Sequence, residues 1–383
     1  MKLSQFDPAD FLANFWQKKP AVIRNAWTEW VNPADANDIA GLACEPAVES
    51  RLIEHIGTGL ALTHGPMQPQ QLQELGPNAW TLLVQAADQF IPEIAALVQP
   101  FRFIPDWRID DVMVSLANHG GGVGPHFDQY DVFLIQGAGL RKWQIGQNCD
   151  RDSAVLPHDD LLLLADFKVR DEWVLEPGDM LYVPPGIAHN GVAASDNCMT
   201  YSVGFRAPSV SEMLADYADD VLLRMTGDAR YADPDLAIQT NPGEILPQAL
   251  QRMQAMVLEQ LNDPHEFARW AGAYTTASKY PDIDWSPQEP LTRSMLKGKL
   301  ALGHVLRCNP AFRFAFTRAA KNTLYLHVNG QSHFCEGGAA RLAEQLCLDH
   351  LLELPAADMA DEATMDVLAA LYNDGALEWA EAG

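Results

Sequence analysis

Between residues 107 and 206 apolar and polar positions alternate in short runs cut by glycine and proline, whereas further along the chain apolar residues recur three and four positions apart. Period two marks strands with one buried face; the longer period marks amphipathic helices. The alternation predicts strands at 112–116, 180–183 and 199–203, with turns at 176–179 and 184–186. A short buried strand between two turns suits a compact jelly-roll barrel. Residues 10–100 mix helices with short strands, including an amphipathic turn at 11–16 and an extended segment at 20–24. Past Pro208 the chain turns helical. Ser209 and Glu212 have the spacing of a capping box, followed by Met213, Tyr217, Val221 and Leu222 at helical intervals. Leu246, Leu250, Met253, Val257 and Leu261 form a second stripe, in which Met253 and Met256 read as core. Asn329-Gly330 between the apolar runs 324–328 and 331–334 is a strong hairpin signal, with helices expected at 338–354 and 362–378. The resulting class is α+β.

Within the alternating region His126 and Asp128 stand two apart, so on a strand both side chains point to one side and Phe127 to the other. Alone, a histidine beside an aspartate is an ordinary hydrogen-bonded pair. The later segment EPGDMLYVPPGIAHNG changes that, because its two turns deliver His189 as a third ligand from another strand. Two imidazoles and one carboxylate leave open positions on an octahedral ion, the arrangement of non-haem Fe(II) oxygenases. The glycine run 120–124 lacks the Lys-Ser/Thr of a phosphate-cradling loop and reads as a flexible turn at the mouth of this site. Asn118, His119, Tyr130 and Asp131 lie close by in sequence; Asn118, Tyr130 and Asp131 are candidate substrate contacts, Asp131 as a partner for a cationic side chain.

Composition narrows the partners. The 383 residues include 51 acidic and 26 basic, a net charge of −25, which argues against broad binding to a phosphate backbone and favours basic partners. One window, 290–335, holds Arg293, Lys297, Lys299, Arg307, Arg313, Arg318 and Lys321 without any acidic residue, and reads as solvated helix faces. The six cysteines form no CxxC pair, no apolar run reaches eighteen residues, and acidic residues stand where a signal peptide would be apolar, so a reducing cytoplasm and no membrane are expected. His327 and His333, on opposite arms of the hairpin, lack a third ligand and suggest no second metal site.

His126-Phe127-Asp128, His189 and Arg141 in the string GAGLRKW together resemble the JmjC-type 2-oxoglutarate- and Fe(II)-dependent oxygenases. The strings WRIDD, GGGVGPHFDQYDVFLIQG and YSVGFRAP are similar to one branch, the bacterial ribosomal oxygenases. The resemblance is dense over residues 10–210. It implies a double-stranded β-helix (cupin-like) barrel, a helical dimerisation region and a winged-helix-like domain, placed here at 1–208, 209–280 and 281–383. It also implies Fe(II), 2-oxoglutarate and O₂ as the reacting set, and C-3 hydroxylation of an arginine in large-subunit ribosomal protein sixteen by a homodimer. Arg141 then has a physical task, since a 2-oxo diacid chelating iron leaves its far carboxylate in an apolar barrel and a guanidinium meets it with paired hydrogen bonds. Lys142, one position on, points away. Ser115 and Thr200, with Ser202 on Thr200's face, are candidate donors to cosubstrate carboxylates by the same resemblance. Direct DNA binding by the winged-helix-like part is disfavoured by the acidic excess from residue 211 onward. An N-methyl demethylase using the same metal, and a non-enzymatic cupin-like binding module, remain as alternatives.

Overall fold

A computed structural model of the chain describes residues 3–4, 6–57, 59–157, 161–227, 229–352 and 361–380. It divides into two compact units, Met1–Ala207 and Pro208–Gly383.

The first unit contains two sheets. In chain order its strands are β1 (Ala21–Ile23), β2 (Ser50–Ile56), β3 (Gly59–His64), β4 (Trp80–Val84), β5 (Ile109–Ala117), β6 (Val132–Ala138), β7 (Arg141–Asn148), β8 (Asp171–Leu175), β9 (Met180–Val183), β10 (Ile187–Ala193) and β11 (Cys198–Phe205). The larger sheet runs β1-β9-β6-β11-β5-β4-β2-β3 and the smaller β10-β7-β8. Every pairing is antiparallel, so directly opposed residues share a face. Val132, Leu134, Leu181 and Val183 from the larger sheet meet Trp143, Ile145, Leu175 and Ile187 from the smaller, which fills the barrel. The other face of the larger sheet, with Phe133, Ile135, Tyr182, Tyr201 and Val203, packs under N-terminal elements that supply Phe11, Trp27 and Ile39, among them the helices α1 (Pro8–Asn14), α2 (Ala36–Leu42), α3 (Pro69–Gln73) and α4 (Pro92–Ala95). The alternation thus places Thr200 and Ser202 inside the barrel and Tyr201 and Val203 outside it.

The expected turn at 176–179 is present and its chemistry is local. Asp179 accepts from the Glu176 and Asn25 amides at 3.0 and 2.9 Å and pairs with Arg24, while Gly178 adopts φ +89° against the Trp30 side chain. That turn launches β9, as predicted.

The second unit begins with α5 (Val210–Arg224), whose capping box between Ser209 and Glu212 is formed as expected. Tyr217 and Val221 are buried against Trp270, but Leu222 is exposed. The second stripe lies on α6 (Pro247–Leu261), none of whose residues is buried; Leu250, Met253 and Val257 are 52, 41 and 60% exposed. The reading of Met253 and Met256 as core is therefore corrected: among the described residues of α6 only Leu261, at the end of the stripe, packs on a buried cluster, that of Tyr217, Val221 and Trp270.

After α7 (Pro264–Thr276) and α8 (Arg293–Ala301), strands β12 (Leu306–Cys308), β13 (Phe314–Ala320), β14 (Thr323–Val328) and β15 (Gln331–Glu336) follow. The β14–β15 hairpin turns at Asn329 and Gly330, both at positive φ, with Val328 opposite Gln331. His327 lies opposite Ser332 and His333 opposite Leu326, so the two rings take opposite faces of the ribbon. His327 is bonded to Thr317 and Ser332, at 2.8 Å each, and packs on Gly272 of α7, where any Cβ would collide with the ring.

Helix α9 (Gly337–Asp349) stops earlier than expected because His350 enters the left-handed region and the next residues form β16 (Leu351–Leu352); residues 353 and 354 lie outside the described residues. The helix expected at 362–378 is also shorter. It is α10 (Glu362–Asn373), after which Gly375 at φ +79° turns the chain into β17 (Leu377–Trp379), paired with β12. The basic window is not a set of helix faces, since Arg307 and Arg318 lie on β12 and β13, and at least three of its seven cations are paired within the unit. Arg293 pairs with Glu362 and Asp366, Arg307 with Glu378, and Arg318 with Glu344. No helix among the described residues is long and apolar enough to cross a membrane.

Candidate metal and cosubstrate site

His126 and His189 face each other across a two-way main-chain bridge, His126 N–H to His189 O at 3.0 Å and His189 N–H to His126 O at 2.8 Å. His189 sits within β10, but His126 occupies an isolated bridge position and not the full strand that the spacing predicts. The same-side argument survives, because one bridge suffices to fix the local direction. The Gly186 amide binds the Asp128 carbonyl at 2.7 Å and so ties the third residue to the turn preceding β10.

Ligand atoms of His126, Asp128 and His189 lie within 4.8 Å of one another, the one such cluster found among the described residues. Each imidazole has its Nδ1 against a carbonyl, Gly124 O at 2.8 Å and Ile187 O at 3.0 Å. A carbonyl only accepts, so both Nδ1 atoms carry the proton and both Nε2 lone pairs remain for an ion. The Asp128 Oδ2 stands 3.5 Å from His189 Nε2. Burial, reinforced by the neighbouring His126, pushes His189 down to about 4, which keeps it in the neutral, ligating form at pH 7.

Fifteen residues after His126, Arg141 opens β7 with its side chain inside the barrel. It is 3% exposed, opposes Ala193, and leaves Nη2 buried without a hydrogen-bond partner. A buried cationic donor with nothing to bind is costly, and an incoming carboxylate would satisfy it. Lys142 points away, with Glu172 at 3.7 Å near the surface. Trp143 shares the interior face. Its ring is 6.0 Å from that of His189 and 5.7 Å from the Arg141 guanidinium, and its indole N–H also lacks a partner. Gly191, directly opposite, makes room for the indole, since a Cβ there would lie 2.6 Å from the ring. These residues fit a 2-oxo diacid held between an ion and Arg141.

Ser115 and Thr200 oppose each other across β5 and β11 and are both buried on the interior face. Thr200, however, has committed its hydroxyl to Gln136 Oε1 at 3.1 Å.

The expected substrate residues separate. Tyr130 is 43% exposed and its phenol hydrogen-bonds Asp128; burial and then the Asp128 charge push its pKa upward. Asp131, by contrast, is fully buried and accepts from Tyr182 Oη at 2.6 Å, Gln17 Nε2 at 2.9 Å and Arg108 at 3.3 Å. Burial raises its carboxyl against the pull of these donors. A carboxylate so placed is not presented to an incoming cation. Asn118 is also spent internally, bracing the Trp80 amide at 2.7 Å and the Asn78 carbonyl at 2.9 Å. The His119 amide binds Asp196. Gly121 and Gly122 permit close approach of their own loop to the Trp80 and Gly191 carbonyls, which replaces the reading of the glycine run as an open turn awaiting a peptide.

Sequence reasoning passed over Gln136, Cys198 and Trp143. Trp143 was accessible from period two, lying two positions after Arg141. Gln136 carried a signal as well, a lone amide in the otherwise apolar run 132–138.

The JmjC domain family matches residues 96–213, a span containing all three clustered residues and Arg141, and the ROXA-like winged helix family matches 259–378. The AraC-like ligand binding domain matches 169–269, which includes His189 but neither His126, Asp128 nor Arg141. The chain is 43% identical over 281 residues to the ribosomal protein uL16 3-hydroxylase of Escherichia coli, covering 73% of this chain and 74% of that one. It is 37% identical over 268 residues to a probable ribosomal oxygenase of Haemophilus influenzae, covering 68% and 65%. Among solved structures, that of E. coli ycfD superposes with a TM-score of 0.89 at 36% identity over 99% of this chain and 100% of the other. A structure of the same ribosomal oxygenase with cobalt and 2-oxoglutarate superposes at 0.86, with 36% identity and 99% of each chain covered.

Proposed function

This chain belongs to the ribosomal oxygenase branch of the JmjC-domain family, and from that premise we propose that it hydroxylates C-3 of an arginine side chain in ribosomal protein uL16. Fe(II) and O₂ are the other participants, with 2-oxoglutarate as cosubstrate. The observation that carries the reading is the buried, unpartnered Nη2 of Arg141 in the same barrel interior as the His126–Asp128–His189 cluster. Bound iron and 2-oxoglutarate supply the oxidising power, as O₂ and the 2-oxo acid are converted to succinate, CO₂ and one oxygen inserted into a C–H bond.

The chain's own residues prepare that event. His126, Asp128 and His189 would hold the ion through two neutral imidazoles and one carboxylate, with their Nδ1 protons already assigned to carbonyls. Arg141 would take the far carboxylate of the cosubstrate, with the Trp143 N–H as a second unspent donor on that face and Ser115 as a further hydroxyl. Thr200, its proton given to Gln136, would serve only as an acceptor or a packing group. Leu134, Leu181 and Ile145 keep the pocket dry, which strengthens the guanidinium–carboxylate pair. Tyr130, 43% exposed beside Asp128, would meet substrate, whereas Asp131 and Asn118 spend their polar groups on internal hydrogen bonds. The net charge of −25 would draw a basic ribosomal protein toward the enzyme in the cytoplasm, and the exposed apolar face of α6 supports a homodimer.

Incubation with Fe(II), 2-oxoglutarate and uL16 is expected to add one oxygen to one arginine, read by tandem mass spectrometry, with stoichiometric succinate. Release of formaldehyde from a methylated peptide without stable oxygen gain would replace the hydroxylase reading with the demethylase one. Full partner binding and cellular effect after His126→Ala would instead favour a binding module.

A further inference from the structure

Thr200, Gln136, Cys198 and Arg141 form one hydrogen-bonded chain in the barrel wall, and all four side chains are buried. The Gln136 Nε2 donates to the Ala138 carbonyl at 2.8 Å, the Gly139 carbonyl at 3.2 Å and the Cys198 sulfur at 3.5 Å. Two carbonyl acceptors fix which way the amide faces, because the opposite orientation would set oxygen against oxygen. Its Oε1 is then the acceptor of the Thr200 hydroxyl. The Cys198 sulfur receives a second N–H, the Nε of Arg141, also at 3.5 Å. Gly139, at φ +62°, makes the tight β6–β7 connection and is packed so closely that a Cβ would lie 2.6 Å from Ser195 Oγ.

The sulfur therefore bridges an amide that cannot turn and a guanidinium that otherwise could. Nε adjoins the guanidinium carbon, so anchoring it sets the plane and leaves Nη2 directed into the interior without a partner. Sulfur is a weak acceptor, and that is the useful property here. A carboxylate at this position would compete with any ligand for the charge, whereas a thiol orients the group and leaves its charge available. We propose that Gln136 and Cys198 are positioning residues for the cosubstrate, holding Arg141 so that Nη2 is aimed at the far carboxylate of 2-oxoglutarate. This rests on the function proposed above; neither residue touches the cosubstrate itself.

The test compares two ligands on full-length protein loaded with Mn(II), by tryptophan-fluorescence titration. 2-Oxoglutarate has the far carboxylate, while 2-oxobutanoate retains only the chelating end. Cys198→Ala and Gln136→Leu are expected to weaken 2-oxoglutarate about tenfold, the equivalent of one lost charge-assisted hydrogen bond, and to leave 2-oxobutanoate unchanged. In an Arg141→Met background, Cys198→Ala should add nothing further. Folded variants that bind 2-oxoglutarate as tightly as the parent, or that lose both ligands in equal proportion, would overturn the proposal. If Gln136→Leu does not fold, Cys198→Ala and Cys198→Ser carry the same comparison. Failure of the parent protein to bind 2-oxoglutarate at all would strike the proposed function instead, so the two failures are distinct.

Discussion

Replacing Asp131 with alanine should destabilise the first unit severely, in contrast to what a substrate-binding carboxylate would do. The substitution removes the acceptor for three donors, Tyr182 Oη, Gln17 Nε2 and Arg108 Nη2. Tyr182 keeps the Gln17 amide as a donor to its oxygen at 2.7 Å but has no replacement acceptor for its own proton. Arg108 keeps its bond to the Arg206 carbonyl at 2.6 Å and its place over Trp16, yet its charge loses its counter-ion with only 17% of the side chain exposed. Two hydrogen bonds to a carboxylate at roughly 1.5 kcal/mol each and a stranded, partly buried charge give about 4–6 kcal/mol. Asp131→Asn, which keeps the shape and one acceptor, should lose about 1–3 kcal/mol. Urea denaturation of the metal-free protein reads the total. Hydrogen exchange across residues 14–19 and 198–206 locates it, since Gln17 donates to the Asp131 carboxylate and the Phe205 amide to the main-chain carbonyl of the same residue. A variant as stable as the parent, with only its KM for the peptide raised, would refute the assignment and return Asp131 to the substrate.

Three further outcomes can be checked. His189 is held at about 4 against 6.5 for a free imidazole, so between those values the unfolded chain takes up a proton that the folded one refuses. Stability of the metal-free protein should therefore fall on acidification through that window, by on the order of 3 kcal/mol at pH 4. His189→Gln should flatten the slope measured by urea denaturation, and an unaltered slope would refute the assignment. Gly191→Ala brings a methyl within 2.6 Å of the Trp143 ring; it should cost about 1–3 kcal/mol in denaturant and weaken 2-oxoglutarate, whereas wild-type binding would mean that the indole has room to move. His126→Ala should abolish Mn(II) binding by calorimetry with the far-ultraviolet circular dichroism intact, because the bridge to His189 is made by main chain; retained binding would remove His126 from the ligand set.

The features legible in the sequence were those that short spacing decides. His126 and Asp128 two apart, the Ser209–Glu212 box and Asn329-Gly330 each specify their geometry within a few residues. What escaped depends on which distant strands become neighbours. Gln136 meets Thr200 only because β6 pairs with β11, and Arg141 reaches Cys198 only across the barrel wall. Asp131 looked available because it follows the metal motif by three residues, but the ring of Tyr182 arriving on β9 encloses it. The α6 stripe has helical period without burial, since periodicity states which residues share a face and not whether anything covers it.

The two-way main-chain bridge between His126 and His189 has a consequence for how the protein would live in a cell. Main-chain pairing brings these two side chains together, so two of the three ligands are set by the fold and not by the ion. Folding then offers no checkpoint on which divalent ion moves in. Occupancy would follow the free pools of iron and its competitors, and manganese, cobalt or zinc could be trapped in a correctly folded but idle enzyme. Hydroxylation of the target would thus double as a gauge of iron supply, registered on the ribosome without any dedicated sensor.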